Sequence, residues 1–100
     1  MKAVVNGVVL AEAPEADLAR IEGNWYFPPA SLNEELFSKS PTPYHCSWKG
    51  DAQYWDITVE GKTISDAAWS YPEPIDGAHE RVGKDFSGFV AFDRAITVEA

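Results

Sequence analysis

Short apolar runs and stretches of apolar–polar alternation follow one another along this chain, separated by turn-forming residues. Residues 3–5 and 8–11 are mostly Val, Leu and Ala around Asn6-Gly7, the pair that best suits a type I′ turn, so they predict an opening β-hairpin. Residues 12–22 are acidic and Ala-rich, with Leu18 and Ile21 three apart, which allows a helical turn or two after Pro14. Trp25-Tyr26-Phe27 reads as a short aromatic strand halted by Pro28-Pro29. Ser31 with Glu34 three positions on forms a capping box ahead of Leu32, Leu36 and Phe37, and predicts a short helix. Ser40-Pro41-Thr42-Pro43 then gives a stiff, extended lead into the most aromatic part of the chain.

That part, residues 44–71, holds three of the four tryptophans, three of the four tyrosines, the single cysteine and one of the two histidines. It reads as three antiparallel strands. Taking Gly50-Asp51 as a two-residue turn opposes His45 to Asp56, Cys46 to Trp55 and Ser47 to Tyr54. Strand alternation then puts Tyr44, Cys46, Trp48, Trp55, Ile57 and Val59 on one face, and His45, Ser47, Lys49, Tyr54, Asp56 and Thr58 on the other. A second turn at Glu60-Gly61 or Gly61-Lys62 adds Ile64 and Ala68 to the apolar face, with Ser65, Ala67 and Trp69 on the polar one. Residues 75–84 read as loop or one helical turn, 88–92 as a strand, and 94–99 as a closing segment in which Ile96 and Val98 alternate. The expected fold is mainly β, one domain over residues 1–100, with curved antiparallel sheets and one or two short helices.

Composition narrows the function classes. Apolar residues at 45% and charged residues at 24% belong to an ordinary globular chain. A net charge of −8 opposes binding to phosphate backbones and anionic lipid, so neither nucleic acid nor a membrane surface is an expected partner. One cysteine permits no intrachain disulfide and no Cys-rich zinc site, and suits a reducing compartment. The apolar start loosely imitates a signal peptide, but Asn6-Gly7 divides it, and a cytoplasmic protein is the expectation.

The candidate chemistry lies on the polar face. His45, Asp56 and Ser65 would form a cross-strand row in which a carboxylate orients an imidazole, as in acid–base sites; the plainer alternative is a solvated polar pair. Lys49 would anchor an anion or a carbonyl compound, or form a Schiff base if desolvated; otherwise it is a turn lysine. Ser47, Tyr54, Trp69 and Tyr71 would wall a cleft for a planar ligand, or else close a second small core. Cys46 is expected to be structural, packed on Trp55, because its strand neighbour His45 points the other way. Asp66, at the end of the apolar face, is either hydrogen-bonded at a bend or a candidate titrating group.

Three stretches together, Tyr44-His45-Cys46-Ser47-Trp48-Lys49-Gly50-Asp51-Ala52-Gln53-Tyr54-Trp55, Ala67-Ala68-Trp69-Ser70-Tyr71-Pro72-Glu73-Pro74 and Gly88-Phe89-Val90-Ala91-Phe92-Asp93, resemble domain of unknown function 427, a family of small bacterial and fungal proteins. The resemblance covers nearly the whole chain and implies a tent-like β fold of the Mss4 type. Relatives of that arrangement carry zinc on two Cys pairs, and Cys46 alone cannot supply them, so no zinc is expected. A nucleotidyltransferase-like label also attaches to the family. The chain has no Asp-x-Asp pair and no glycine-rich phosphate loop with which to perform that chemistry. Three functions follow as expectations: binding of a small polar or planar ligand around Lys49, Tyr54, Trp69 and Tyr71; acid–base or carbonyl chemistry by His45, Asp56 and Lys49; or docking of a protein or a second copy, which leaves the chain a monomer or a homodimer.

Overall fold

Asn6 and Gly7 both take positive φ, 49° and 76°, and close the opening hairpin as a type I′ turn must. Its strands β1 (Lys2–Val5) and β2 (Val8–Glu12) meet with Val5 opposite Val8. The structure, a computed structural model, describes residues 1–100. The same turn chemistry recurs twice. Glu22-Gly23, with φ of 52° and 83°, joins β3 (Ala19–Ile21) to β4 (Asn24–Tyr26), a hairpin that the acidic 12–22 stretch does not predict. Glu60-Gly61, at 53° and 77°, joins β8 (Gln53–Val59) to β9 (Lys62–Ser70). The remaining strands are β5 (Phe37–Lys39), β6 (His45–Cys46), β7 (Gly50–Asp51), β10 (Val90–Phe92) and β11 (Thr97–Glu99).

Four antiparallel sheets result: β11-β1-β2, β10-β9-β8-β5, and the two-stranded ribbons β3-β4 and β6-β7. One α-helix, α1 (Ala78–Val82), joins three short 3-10 turns, so the fold is mainly β as expected. No helix is long and apolar enough to cross a membrane.

Two apolar clusters lie either side of β9 and β10. Ala3, Leu10, Phe27, Ile57, Ala68, Val90 and Phe92 belong to the first, and Ile21, Tyr26, Cys46, Tyr71, Phe86 and Ala91 to the second. Strand alternation sends neighbours to opposite clusters: Tyr26 and Phe27 part company, as do Val90 and Ala91. Fully buried side chains of this size, Phe27 and Ile57 among them, each contribute about 1.5–3 kcal/mol.

Three expectations need correction. Ser31 does not cap a helix: Pro28 and Pro29 direct the chain into a 3-10 turn, Pro29–Ser31, and the Ser31 hydroxyl donates back to the Pro28 carbonyl at 2.6 Å. A separate turn at Glu34–Leu36 leads straight into β5. Second, Gly50-Asp51 is not a turn. The chain turns at Ser47-Trp48-Lys49, so Gly50 pairs with Cys46 and Asp51 with His45. Gly50 has φ of 114°, and a Cβ there would lie 3.3 Å from the Glu73 carbonyl, so the glycine serves a close approach of the 73–75 segment. Third, β8 and β9 shift register between Trp55 and Ile57, opposite Asp66, which sits at φ 51°. Ile64 and Ala68 still share the apolar side, and Ala67, expected on the polar face, is fully buried in the first cluster.

Candidate functional site

The changed turn relocates the polar-face residues of the 45–49 stretch. His45 is exposed and its Nδ1 lies 2.8 Å from Asp51 Oδ1, its cross-strand partner. Asp56 pairs instead with Ser38 of β5, and its Oδ1 accepts the Asp66 N–H at 2.8 Å. His45 and Asp56 are therefore not opposed in the His45–Asp56–Ser65 row that a Gly50-Asp51 turn requires, and Lys49 pairs elsewhere. Ser47 is exposed on the turn itself. Cys46 is buried beside Tyr26 and Tyr71 in the second cluster, and Trp55 packs against the first, so the expected Cys46–Trp55 contact is not made.

Lys49 is the departure with most consequence. It is only 4% exposed. Its Nζ lies 5.0 Å from the centre of the Trp48 ring and 5.1 Å from that of Tyr71, and it pairs with the Glu22 carboxylate from the β3-β4 turn. The geometry is that of an ammonium held between two π faces and one anion. Arg81 of α1 rests on the same indole, 4.5 Å from its centre, and takes part in none of the chain's ion pairs.

Tyr54, Trp69 and Tyr71 do share a region, as a packed aromatic layer. Tyr54 and Trp69 rings sit 6.3 Å apart, and the Trp69 indole N–H donates to the Tyr26 hydroxyl at 2.9 Å. Burial pushes the Tyr26 phenol up to about 12, an effect the Trp69 hydrogen bond partly offsets. Burial raises Tyr71 as well, and Tyr54 to a lesser degree. Trp69 and Tyr71 belong to the second small core, and Tyr71, 3% exposed, presents no open wall.

A large concavity lies on the opposite side of the same sheet. A groove of about 530 Å³ runs between the 29–39 segment and the end of β9, with Trp55, Phe37, Leu32 and Val90 as its apolar surface. Gln53 and Ser70, directly opposed across β8 and β9, add two polar side chains. Ser70 is 2% exposed and accepts the Trp55 indole N–H at 3.0 Å, and its own hydroxyl proton has no acceptor. Gln53 spends its NH₂ on the carbonyls of Ser40 (3.0 Å) and Tyr54 (2.7 Å), so its side-chain carbonyl carries no bond. Lys39 and Glu34 stand at the rim. None of these groove residues was a sequence candidate. The Gln53–Ser70 pairing follows only once the Asp66 bulge is placed, and the Pro29–Phe37 rim has no local signal.

No group of three or more His, Cys, Asp or Glu side chains comes together in the fold. No curated protein matches the chain. The family model described as Domain of unknown function (DUF427) matches residues 1–99, and the chain belongs to that family.

Proposed function

We propose that this domain binds a small planar heterocycle in the groove on the Trp55 side of the β8-β9 hairpin. The observation that carries the reading is the Gln53–Ser70 pair: a free hydroxyl donor and a free carbonyl acceptor on facing strand positions, beside an aromatic surface. Adjacent donor and acceptor complement the N–H and C=O of a lactam edge. A buried hydroxyl with an unspent proton is the kind of group that gains most from a ligand acceptor. The face around Lys49, Tyr54, Trp69 and Tyr71, favoured by the sequence, supports this role less well, because Lys49 is buried and Tyr71 is closed off within the second cluster.

The test is a titration with 2-pyridone and, in parallel, N-methyl-2-pyridone, followed by the indole N–H resonances of the four tryptophans. The expected result is a shift of the Trp55 resonance with 2-pyridone, weakened about tenfold or more for the N-methyl compound and for Ser70→Ala. Equal binding of both compounds refutes recognition of the lactam edge. A response at Trp69 or Trp48 with Trp55 unmoved places binding on the other face and refutes the groove.

A further inference from the structure

Independently of the groove, we infer that Lys49 and Glu22 form a reactive pair that condenses with small aldehydes to give an imine on Lys49. A buried ammonium is costly unless paired, and Lys49 has one carboxylate partner, which is itself more than half exposed (55%). The Nζ atom thus pairs with a carboxylate that itself reaches solvent, at the turn of a hairpin with three-residue strands. A compound of a few carbon atoms reaches it alongside that side chain, whose carboxylate stays within proton-transfer reach of Nζ.

The pair supplies both proton transfers that the condensation needs. Glu22 takes a proton from the Lys49 ammonium, freeing the nitrogen lone pair, which attacks the aldehyde carbon as the carbonyl π electrons move to oxygen. A proton passes from nitrogen to that oxygen to give the neutral carbinolamine. Glu22 returns its proton to the hydroxyl, which leaves as water while the nitrogen lone pair closes the C=N bond. Ammonium and aldehyde become iminium and water, the carboxylate is regenerated, and no oxidant or reductant is consumed. One positive charge occupies the site before and after the step. Trp48 and Tyr71, with ring centres 5.0 and 5.1 Å from Nζ, are placed to hold it in either form.

The experiment is reductive trapping with propionaldehyde and cyanoborohydride, with each lysine read by peptide mapping. Lys62, exposed at the β8-β9 turn, is the internal standard. In the wild type Lys49 is expected to label at least about tenfold faster than Lys62 despite its burial. Lys49 left unlabelled while Lys62 saturates overturns the inference, and this measurement needs no variant. Glu22→Gln is expected to slow labelling at Lys49 by about tenfold or more and leave Lys62 unchanged. Faster labelling in that variant shows that Glu22 only shields the amine, and overturns its acid–base role.

Discussion

Replacing Tyr26 by Phe should cost stability at neutral pH and cost nothing near pH 11. Tyr26 is 1% exposed, and its hydroxyl accepts the Trp69 indole N–H. Removing the oxygen leaves that donor unpaired in a half-buried ring, a loss of about 1–1.5 kcal/mol at pH 7. The wild type carries an opposing liability. Its Tyr26 phenol is held up to about 12 by burial, against about 10 in the unfolded chain. A folded pKa above the unfolded one gives stability that is complete below about pH 10 and is lost as pH rises towards 12, because the unfolded chain releases its proton first. Near pH 11 the difference is about a factor of ten, or about 1.4 kcal/mol, which Tyr26→Phe does not suffer. Tyr71 is raised for the same reason and remains in both proteins, so it cancels in the comparison. Urea unfolding of both proteins at the two pH values measures the gap directly. A gap that stays constant between them refutes the assignment of Tyr26 as a buried, neutral phenol.

Gly50→Ala is expected to cost about 1–3 kcal/mol, since it combines φ of 114° with a Cβ 3.3 Å from the Glu73 carbonyl and Ile75 Cγ2. Gly61→Ala, at φ 77° with nothing within 4 Å, should cost only about 1 kcal/mol, and thermal unfolding of the two variants checks the order. Ile57→Ala removes a fully buried side chain from the first cluster and should lower urea stability by about 2–5 kcal/mol. Asp66→Ala should lower it by about 2 kcal/mol, through two lost hydroxyl partners and an alanine left in the left-handed region; no change would show that the bulge is held by something else.

Turn chemistry was legible wherever the turn is decided locally. Asn6-Gly7 needs two positive φ values, and the residues themselves announce it. Glu60-Gly61 was one of two options, and Glu22-Gly23 went unread, because a glutamate at positive φ is uncommon and β3 and β4 have only three residues each. The Ser47-Trp48-Lys49 turn could not be read from neighbours in sequence. Trp48 and Lys49 are held there by Arg81, Tyr71 and Glu22, all more than twenty residues away, and Gly50 is required by the 73–75 segment rather than by a turn of its own. A turn at Gly50-Asp51 opposes His45 to Asp56 and leaves Lys49 at an open strand end, whereas the observed turn separates the first two and buries the lysine. The capping box failed for a related reason: two prolines ahead of Ser31 set a tighter turn, and its hydroxyl was taken by the Pro28 carbonyl.

Both proposed sites draw on the end of β9 and the residues just after it, and alternation decides which residue serves which. Trp69 meets Tyr26 and Tyr71 meets Lys49 on one side, while Ser70 and Pro72 line the groove on the other. A slip of one residue would exchange the two sets, so the register of this strand must be fixed firmly. Asp66 is the feature that fixes it. Its carboxylate takes the hydroxyls of Ser40 and Thr42, and its N–H goes to Asp56 of β8. At about 1 kcal/mol net each, these three bonds exceed the roughly 1–2 kcal/mol that a non-glycine residue costs in the left-handed region. The bulge is thus a favourable state of the strand, and its two-residue shift keeps the faces unchanged while setting Ser70 opposite Gln53 at the groove.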